Sequence, residues 1–136
     1  MLLWSVLAVV IAAAGYVRLA PNDPARWHVP PEVSENNDFR AGVKRLTNTG
    51  PDGLARLDKV ALLTPRTGVL AGSVGAGMVT YITRSQVFGF PDYTTAQQDG
   101  DQLKIYARLR FGRSDTGVNR TRVEGWIREL SRALQP

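Results

Sequence analysis

The pattern of apolar positions divides the chain into three parts, and the first of them is almost wholly apolar. Residues 2–17 read LLWSVLAVVIAAAGYV and contain no charged side chain. At 1.5 Å per residue this run forms a helix about 24 Å long, and Leu19 and Ala20 extend it to about 28 Å, close to the thickness of a bilayer core. Pro21 then ends the helix, because proline cannot continue the backbone hydrogen bonds. We therefore expect a transmembrane anchor over residues 1–20.

The ends of this run carry side chains that membrane helices place at headgroup level. Trp4 and Tyr16 lie near opposite ends, and Arg18 can extend its guanidinium group to the headgroups. A cleaved signal peptide, with the small residues 12–15 as its cleavage region, and a buried core helix are the two alternatives. No basic side chain precedes the run, and this argues against an efficient signal peptide.

The second part, residues 21–50, has no repeated side-chain period and is rich in turn-forming residues. Four prolines fall between residues 20 and 42, together with several Asn, Asp and Ser residues. This composition is typical of an extended stalk or irregular arm. Parts of the arm are expected to pack against the domain through the apolar side chains Trp27, Val29, Val33 and Phe39.

The third part, residues 51–136, begins and ends with a helical pattern. Leu54, Leu57 and Ala61 recur at helical spacing, with Asp52 as the expected N-cap and Pro65 after the end. A second stripe at this spacing predicts a C-terminal helix, and its members are Val123, Trp126, Ile127, Leu130 and Leu134. For the start of that helix, Thr121 and Glu124 can form a capping box, and Asn119 is the competing cap.

Strands are predicted between the two helices. The segments are TGVLAG, MVTYITRS, DYTTAQQ and QLKIYARLRF, which have short connections, and VTYIT within the second is rich in β-branched and aromatic residues. GSVGAG, between the first two, lacks the Lys-Ser/Thr ending of a phosphate-binding loop and is read as a hairpin connection. We predict an α+β domain in which an antiparallel sheet of about four strands is covered by two helices.

Composition and charge exclude several classes of function. The net charge is +5, but the 17 basic residues are spread among 12 acidic ones without a basic run, so we expect no nucleic-acid partner. The chain has no cysteine and a single histidine, His28, which leaves no thiolate nucleophile and no Ser-His-Asp triad. We therefore expect no catalytic residues, no cofactor and no metal, and a protein that is not an enzyme.

Two stretches carry candidate chemistry, and the first is the aromatic segment RSQVFGFPDY, residues 84–93. Phe88, Phe90 and Tyr93 could line a small-molecule pocket. The favoured alternative is a bend between strands whose aromatic rings fill the core. Asp92 beside these rings needs a charged partner, and an arginine is the natural one.

The second stretch is RLRFGRSDTGVNRTRVEGW, residues 108–126, which holds five arginines. Its period of two places Arg108 and Arg110 on one strand face and Ile105, Ala107 and Leu109 on the other. Two interpretations remain open: an arginine-lined groove that binds a carboxylate, phosphate or lipid headgroup, or a structural network in which acidic residues neutralise the arginines. The residues concerned are Arg84, Asp92, Arg108, Arg110, Asp115, Asn119 and Arg120.

The motifs FGFPDY and RLRFGRSDTGVNRTRVE, together with RLAPNDPARWH near the N-terminus, resemble a bacterial family called domain of unknown function 1499, in its alphaproteobacterial form. The resemblance covers most of the chain. It implies a small membrane-attached or exported domain and no particular reaction or ligand. It also marks Asp92, Arg108, Arg110, Asp115, Asn119 and Arg120 as signature positions.

Three functions follow as hypotheses, and the weakest is a hydrolase that uses Asp115 with Asn119. The first is a non-enzymatic accessory or scaffold protein, anchored in the lipid bilayer and docked on a larger inner-membrane complex of respiratory or photosynthetic type. The second is an envelope binding module for an anionic small molecule or lipid headgroup. We expect a single-pass protein of the bacterial inner membrane with a periplasmic domain, although Arg18 and Arg26 would favour the cytoplasmic side under the positive-inside rule.

Overall fold

The computed structural model describes residues 1–133 and contains one antiparallel sheet, two helices packed on it and an N-terminal helix that projects from it. The helices are α1 (Leu2–Leu19), α2 (Pro24–Trp27), α3 (Gly53–Leu63) and α4 (Val118–Ala133). The strands are β1 (Asn37–Phe39), β2 (Gly42–Asn48), β3 (Thr67–Ser73), β4 (Met78–Arg84), β5 (Pro91–Asp99) and β6 (Gln102–Leu109). Their order across the sheet is β1-β2-β6-β5-β4-β3.

The predicted α+β class is confirmed, but the sheet has six strands where the sequence pattern predicts about four. The additional strands, β1 and β2, lie within residues 21–50, which were expected to form an irregular arm. β2 carries charged side chains on both faces, which obscured its period: Lys44 donates to the backbone oxygen of Glu32 and Arg45 pairs with Glu124 at 2.8 Å. β2 pairs with β6 along its whole length, from Gly42 opposite Arg108 to Asn48 opposite Gln102.

The hydrophobic core lies between one face of the sheet and helices α3 and α4. Tyr81 of β4 meets Trp126 of α4 edge to face, with ring centroids 5.9 Å apart. The indole N–H of Trp126 donates to Thr64 Oγ1 at 2.9 Å, and the Tyr81 hydroxyl donates to Asp58 at 2.6 Å, so both polar tips are satisfied. The predicted helix stripes are buried here as Leu54, Leu57, Ala61, Val123, Trp126 and Leu130. Leu134, the last member of the second stripe, lies outside the described residues.

The opposite face of the sheet is covered by residues 20–33, nearly all of which belong to the arm. Trp27 stacks on Tyr93 of β5 with centroids 4.1 Å apart and ring planes 19° apart. His28 shares a hydrogen bond of 2.8 Å with Thr80 of β4. Ala20 and Val33 are both 5% exposed. The arm is therefore part of the folded domain, and the sheet is covered on both faces.

Helix α1 has its apolar side chains exposed along most of its length and meets the domain only in its last turns. Its mean hydropathy is 2.0, and among the described residues it is the one helix long and apolar enough to cross a membrane. Tyr16 packs edge to face on Phe111 with centroids 6.1 Å apart. Arg18 donates to the backbone oxygens of Val87 and Phe88 in the β4–β5 loop. These contacts join the C-terminal end of α1 to the domain.

Candidate functional site

Arg108 lies beneath the arm and is 6% exposed. Its guanidinium group donates to the backbone oxygen of Trp27 at 2.6 Å, to Thr95 Oγ1 at 2.9 Å and to the Tyr106 backbone oxygen at 3.1 Å. The group also lies 4.7 Å from the centroid of the Tyr106 ring. Burial lowers the pKa of Arg108 to about 10, so the side chain is still cationic at neutral pH. Its partners are carbonyl and hydroxyl oxygens and aromatic rings.

Arg110 directly follows the end of β6 and, like Arg108, binds the arm. It donates to the backbone oxygen of Pro21 at 2.7 Å and to the Tyr93 hydroxyl at 3.1 Å, and it reaches Asn22 Oδ1. The Tyr93 hydroxyl donates to that same Asn22 oxygen. Neither sequence interpretation describes Arg108 and Arg110 correctly: they do not line an open groove, and they do not pair with Asp92 or Asp115. They hold the start of the arm on the sheet.

Asp92 lies on the other face of the sheet, opposite Leu109 in the register of β5 and β6. Its expected arginine partner exists but is Arg122 of α4, with 3.6 Å between Asp92 Oδ2 and Arg122 NH2. Both side chains are largely buried, at 16% and 15% exposure. Burial raises the pKa of Asp92 to about 6, against the lowering effect of Arg122 and with a further raising effect of Asp115.

Asp115 is held at the start of α4, where it accepts hydrogen bonds from main-chain and side-chain donors. Its carboxylate accepts from the backbone N–H of Gly117 at 2.9 Å, from the backbone N–H of Asn119 at 3.3 Å and from Asn119 Nδ2 at 2.9 Å. A carboxylate there satisfies backbone donors of the first turn. Asp115 therefore does the capping that the sequence assigned to Asn119 or to the pair Thr121 and Glu124.

Asn119 and Arg122 extend this network toward Asp92. Arg122 NH1 donates to Asn119 Oδ1 at 2.8 Å, and Asn119 is fully buried. Asp92, Asp115, Asn119 and Arg122 thus form one connected polar cluster, which we call the acid cluster. Arg122 was missed by sequence reasoning, although its spacing of three residues from Asn119 places both on one side of the helix.

The two remaining candidates lie elsewhere. Arg120 is exposed and lies 3.5 Å from Asp38. Arg84, expected beside Arg108 and Arg110, instead donates to the backbone oxygen of Gly89 at 2.9 Å. The candidate residues therefore divide into an arm-binding pair, the members of the acid cluster and two arginines that belong to neither group.

A cavity of about 760 Å³ opens beside the acid cluster, between the start of α4, the β4–β5 loop and the end of β6. Such a volume falls in the range of small-molecule sites. Its apolar wall consists of Pro65, Leu109, Val118 and the rings of Phe90 and Phe111. Its charged side chains are Arg66, Arg84, Asp92, Asp115 and Arg122. We call this space the main cavity.

The aromatic residues of segment 84–93 do not all fill the core, although the sequence favours that interpretation. Phe88 is 56% exposed and Phe90 is 42% exposed, and only Tyr93 of the three is buried. Phe90 lines the main cavity. The part of the chain that the structure describes brings together no group of three or more His, Asp or Glu side chains that could hold a metal ion.

A family model described as a protein of unknown function, DUF1499, matches residues 21–130. The chain belongs to the DUF1499 family. No curated protein and no solved structure matches the chain significantly.

The DUF1499 match agrees with the observed packing of the arm. It begins at Pro21, whose backbone oxygen accepts from Arg110, and it therefore includes the arm together with the sheet and most of α4. Helix α1 lies outside the matched range. The DUF1499 domain of this chain is thus the sheet covered on both faces, and α1 is joined to it only through the contacts of its last turns.

Proposed function

We propose that this protein is a membrane-anchored, non-enzymatic binding module that holds an amphipathic small molecule beside the membrane surface. The observation that carries the proposal is the main cavity, in which aromatic and aliphatic walls face the largely buried acid cluster and two further arginines. Apolar walls with a few convergent polar groups are typical of ligand sites. Groups with a shifted pKa, such as Asp92, occur more often in functional sites than elsewhere.

The contacts at the end of α1 support its role as a permanent anchor. A peptide cleaved within residues 12–15 would leave Tyr16 and Arg18 on a fragment too short to be a stable helix. Both residues make specific contacts with the domain, at Phe111 and at the β4–β5 loop. Phe111 also lines the main cavity, so a membrane-spanning α1 would bring that cavity close to the bilayer surface.

The charges that line the main cavity favour a ligand with an anionic end. Three guanidinium groups, of Arg66, Arg84 and Arg122, face two carboxylates, of Asp92 and Asp115. Asp115 is already engaged by backbone donors of α4, and Asp92 by Arg122. Arginine side chains bind carboxylates and phosphates through parallel hydrogen bonds. A carboxylate or phosphate at Arg66 and Arg84, with an apolar body against Phe90 and Phe111, fits this arrangement.

Blocking the main cavity tests the proposal. Val118 lines it at its rim and is 49% exposed, so Val118→Trp fills space without entering the core. Val69 is 47% exposed, lies on β3 and lines no described cavity, which makes Val69→Trp the matched control. Small molecules are extracted from the full chain purified from native membranes in mild detergent. We expect wild type and Val69→Trp to release one amphipathic compound that Val118→Trp lacks.

A second role, as an accessory or scaffold subunit docked on a larger inner-membrane complex of respiratory or photosynthetic type, is supported by α1. Residues 2–13 of α1 are exposed and almost entirely apolar, and the small residues 12–15 allow another helix to approach closely. The arm adds no support, because it is packed on its own domain. Extraction in mild detergent followed by native gels and mass spectrometry tests this role. Migration as a free monomer under all mild conditions would contradict it.

The orientation is tested separately. We propose a periplasmic domain, and the chain has no cysteine, so one introduced thiol reports the side without background. Ser131 is exposed on α4 and provides the site. Labelling of Ser131→Cys in intact spheroplasts by an impermeant thiol reagent is expected. Labelling only after membrane disruption would place the domain in the cytoplasm.

A further inference from the structure

Three arginines surround a second cavity, of about 460 Å³, next to the main cavity. They are Arg18 at the end of α1, Arg66 after α3 and Arg84 at the end of β4. The other lining residues are Ser85, Gln86 and Gly89, so no carboxylate lines this space. We call it the arginine cavity. It shares Arg66, Arg84, Ser85 and Gln86 with the main cavity.

Each of the three guanidinium groups is positioned by a backbone carbonyl. Arg18 donates to the oxygen of Val87 at 3.2 Å, Arg66 Nε to the oxygen of Arg84 at 3.0 Å, and Arg84 NH1 to the oxygen of Gly89 at 2.9 Å. Within residues 1–133 none of the three forms an ion pair with an acidic side chain. Carbonyls fix the orientation of these cations without neutralising them, so the cavity concentrates positive charge.

The β4–β5 loop is built to hold this arrangement. Ser85 closes the loop twice, since its backbone N–H donates to the Phe90 oxygen and its hydroxyl accepts from the Phe90 N–H at 2.9 Å. Gly89 has a φ of +70°, and a Cβ there would lie 3.0 Å from Arg18 Nε. The positive φ therefore favours glycine at this position, and a side chain there would crowd Arg18.

An apolar groove of about 240 Å³ continues from the loop along α1. One wall is formed by Phe88 and Phe90, and the other by Val10, Ala13, Ala14 and Val17. The four helix residues follow the spacing i, i+3, i+4, i+7 and so lie on one face of α1. Arg18 lies one turn beyond Ala14, at about 6 Å along the helix axis. The groove and the arginine cavity therefore meet at the loop, with the apolar part on the bilayer side.

From this juxtaposition we infer that the arginine cavity and the groove together bind one anionic membrane phospholipid. The phosphate lies among Arg18, Arg66 and Arg84, and an acyl chain lies between α1 and the rings of Phe88 and Phe90. When α1 spans a bilayer, Arg18 lies at the depth of the phosphates and the groove at the depth of the acyl chains. This inference rests on the proposed anchoring by α1 and on the proposed function: the phospholipid is the amphipathic ligand, and its phosphate is the anionic end that binds Arg66 and Arg84.

Charge at the arginine cavity is the first variable of the test. The full chain in mild detergent is titrated with phosphatidylglycerol and binding is followed by native mass spectrometry. Arg66→Gln with Arg84→Gln removes two cations from the cavity and is expected to weaken binding at least about tenfold. Arg40→Gln with Arg128→Gln is the control, since these exposed arginines line neither cavity and the change in net charge is the same. Thermal unfolding of both double variants verifies that they are folded.

Two further probes and one double variant identify the source of the phosphate. Phosphatidylcholine has the chains but no net charge, and inorganic phosphate has the charge but no chain. We expect phosphatidylglycerol to bind more tightly than either, and Phe88→Ser with Phe90→Ser to weaken phosphatidylglycerol without changing the affinity for inorganic phosphate. The inference would be overturned if phosphatidylcholine bound as tightly as phosphatidylglycerol, or if the Arg66/Arg84 variant bound phosphatidylglycerol as tightly as its control. An acidic transmembrane partner that phosphatidylglycerol does not displace would also overturn it.

The intact mass from the same spectra separates this inference from the proposed anchoring. A chain shortened near residue 15 would mean that α1 is removed, and then the anchor and the lipid site fail together. An intact chain that keeps a compound in the main cavity but does not prefer phosphatidylglycerol would refute the lipid site alone.

Discussion

Asp92 of β5 and Arg122 of α4 face each other at the end of the sheet, with 3.6 Å between Oδ2 and NH2 and little exposure of either side chain. This pair joins the sheet to the C-terminal helix and forms one side of the main cavity. Since removal of one partner leaves a largely buried charge alone, the two residues are expected to behave as a unit.

The pair gives a first prediction for stability. Arg122→Gln leaves the Asp92 carboxylate without its cation and should lower the free energy of unfolding by about 2 kcal/mol. The double variant with Asp92→Asn should lose less than the sum of the two single variants, because residues in direct contact are coupled. Urea unfolding of all four proteins in one detergent measures the coupling. Additive losses would mean that the two charges do not interact.

The raised pKa of Asp92 predicts a pH dependence. Because the pKa is about 6 in the folded chain and 3.8 for the unperturbed group, the folded state binds the proton more tightly than the unfolded state. Stability contributed by protonated Asp92 is present below pH 4 and is lost as the pH rises through about 6. Wild type should therefore lose stability relative to Asp92→Asn between these pH values, with no further change above pH 7. Unfolding curves at a series of pH values test this. A difference in the free energy of unfolding between wild type and Asp92→Asn that does not change with pH would contradict it.

The contacts of Arg108 predict that its replacement destabilises the arm locally. Arg108→Met keeps an apolar contact with the rings of Trp27 and Tyr106 but leaves the Trp27 oxygen and Thr95 without their donor. The cost should be about 2 kcal/mol, and hydrogen exchange should increase within residues 20–33 more than in α3 or α4. The control is Arg120→Gln, which removes only an exposed contact with Asp38 and should change nothing measurable. Exchange that increases equally everywhere would show that Arg108 does not specifically hold the arm.

The hydrogen bonds of Asp115 predict that this residue caps α4. Asp115→Ala removes the acceptor for the backbone N–H groups of Gly117 and Asn119 and should cost about 1 to 2 kcal/mol. Thr121→Ala, at the position that the sequence pattern favoured as a cap, should cost less than about 0.5 kcal/mol because Thr121 is exposed within the helix. Chemical unfolding of the two variants decides between the sites. A larger loss of stability for Thr121→Ala than for Asp115→Ala would show that Thr121 and Glu124 cap the helix.

The faces of β6 could be predicted from the sequence, but the partners of its arginines could not. The period of two correctly places Ile105 and Ala107 on the core face and Arg108 on the opposite face, which the arm covers. The groups that bind Arg108 and Arg110 are backbone oxygens of Trp27 and Pro21, and a backbone acceptor has no sequence signature.

Strand register explains the error about Asp92. Arg108 lies opposite Tyr93, and Asp92 lies opposite Leu109, so Asp92 and Arg108 are on different faces of the sheet. A difference of one residue in register reverses the face of every side chain, and the sequence does not give the register of β5 against β6. Likewise, Phe88 and Phe90 line a groove against α1 and do not enter the core. This long-range contact has no local sequence pattern.

Native mass spectrometry of the full chain released directly from its own membranes is the most direct test of a membrane-anchored binding module. We expect a mass that includes the apolar helix α1 and one bound amphipathic compound, retained in Val69→Trp and absent in Val118→Trp. A chain that lacks α1, or wild type and Val118→Trp with identical bound mass, would contradict the proposed function.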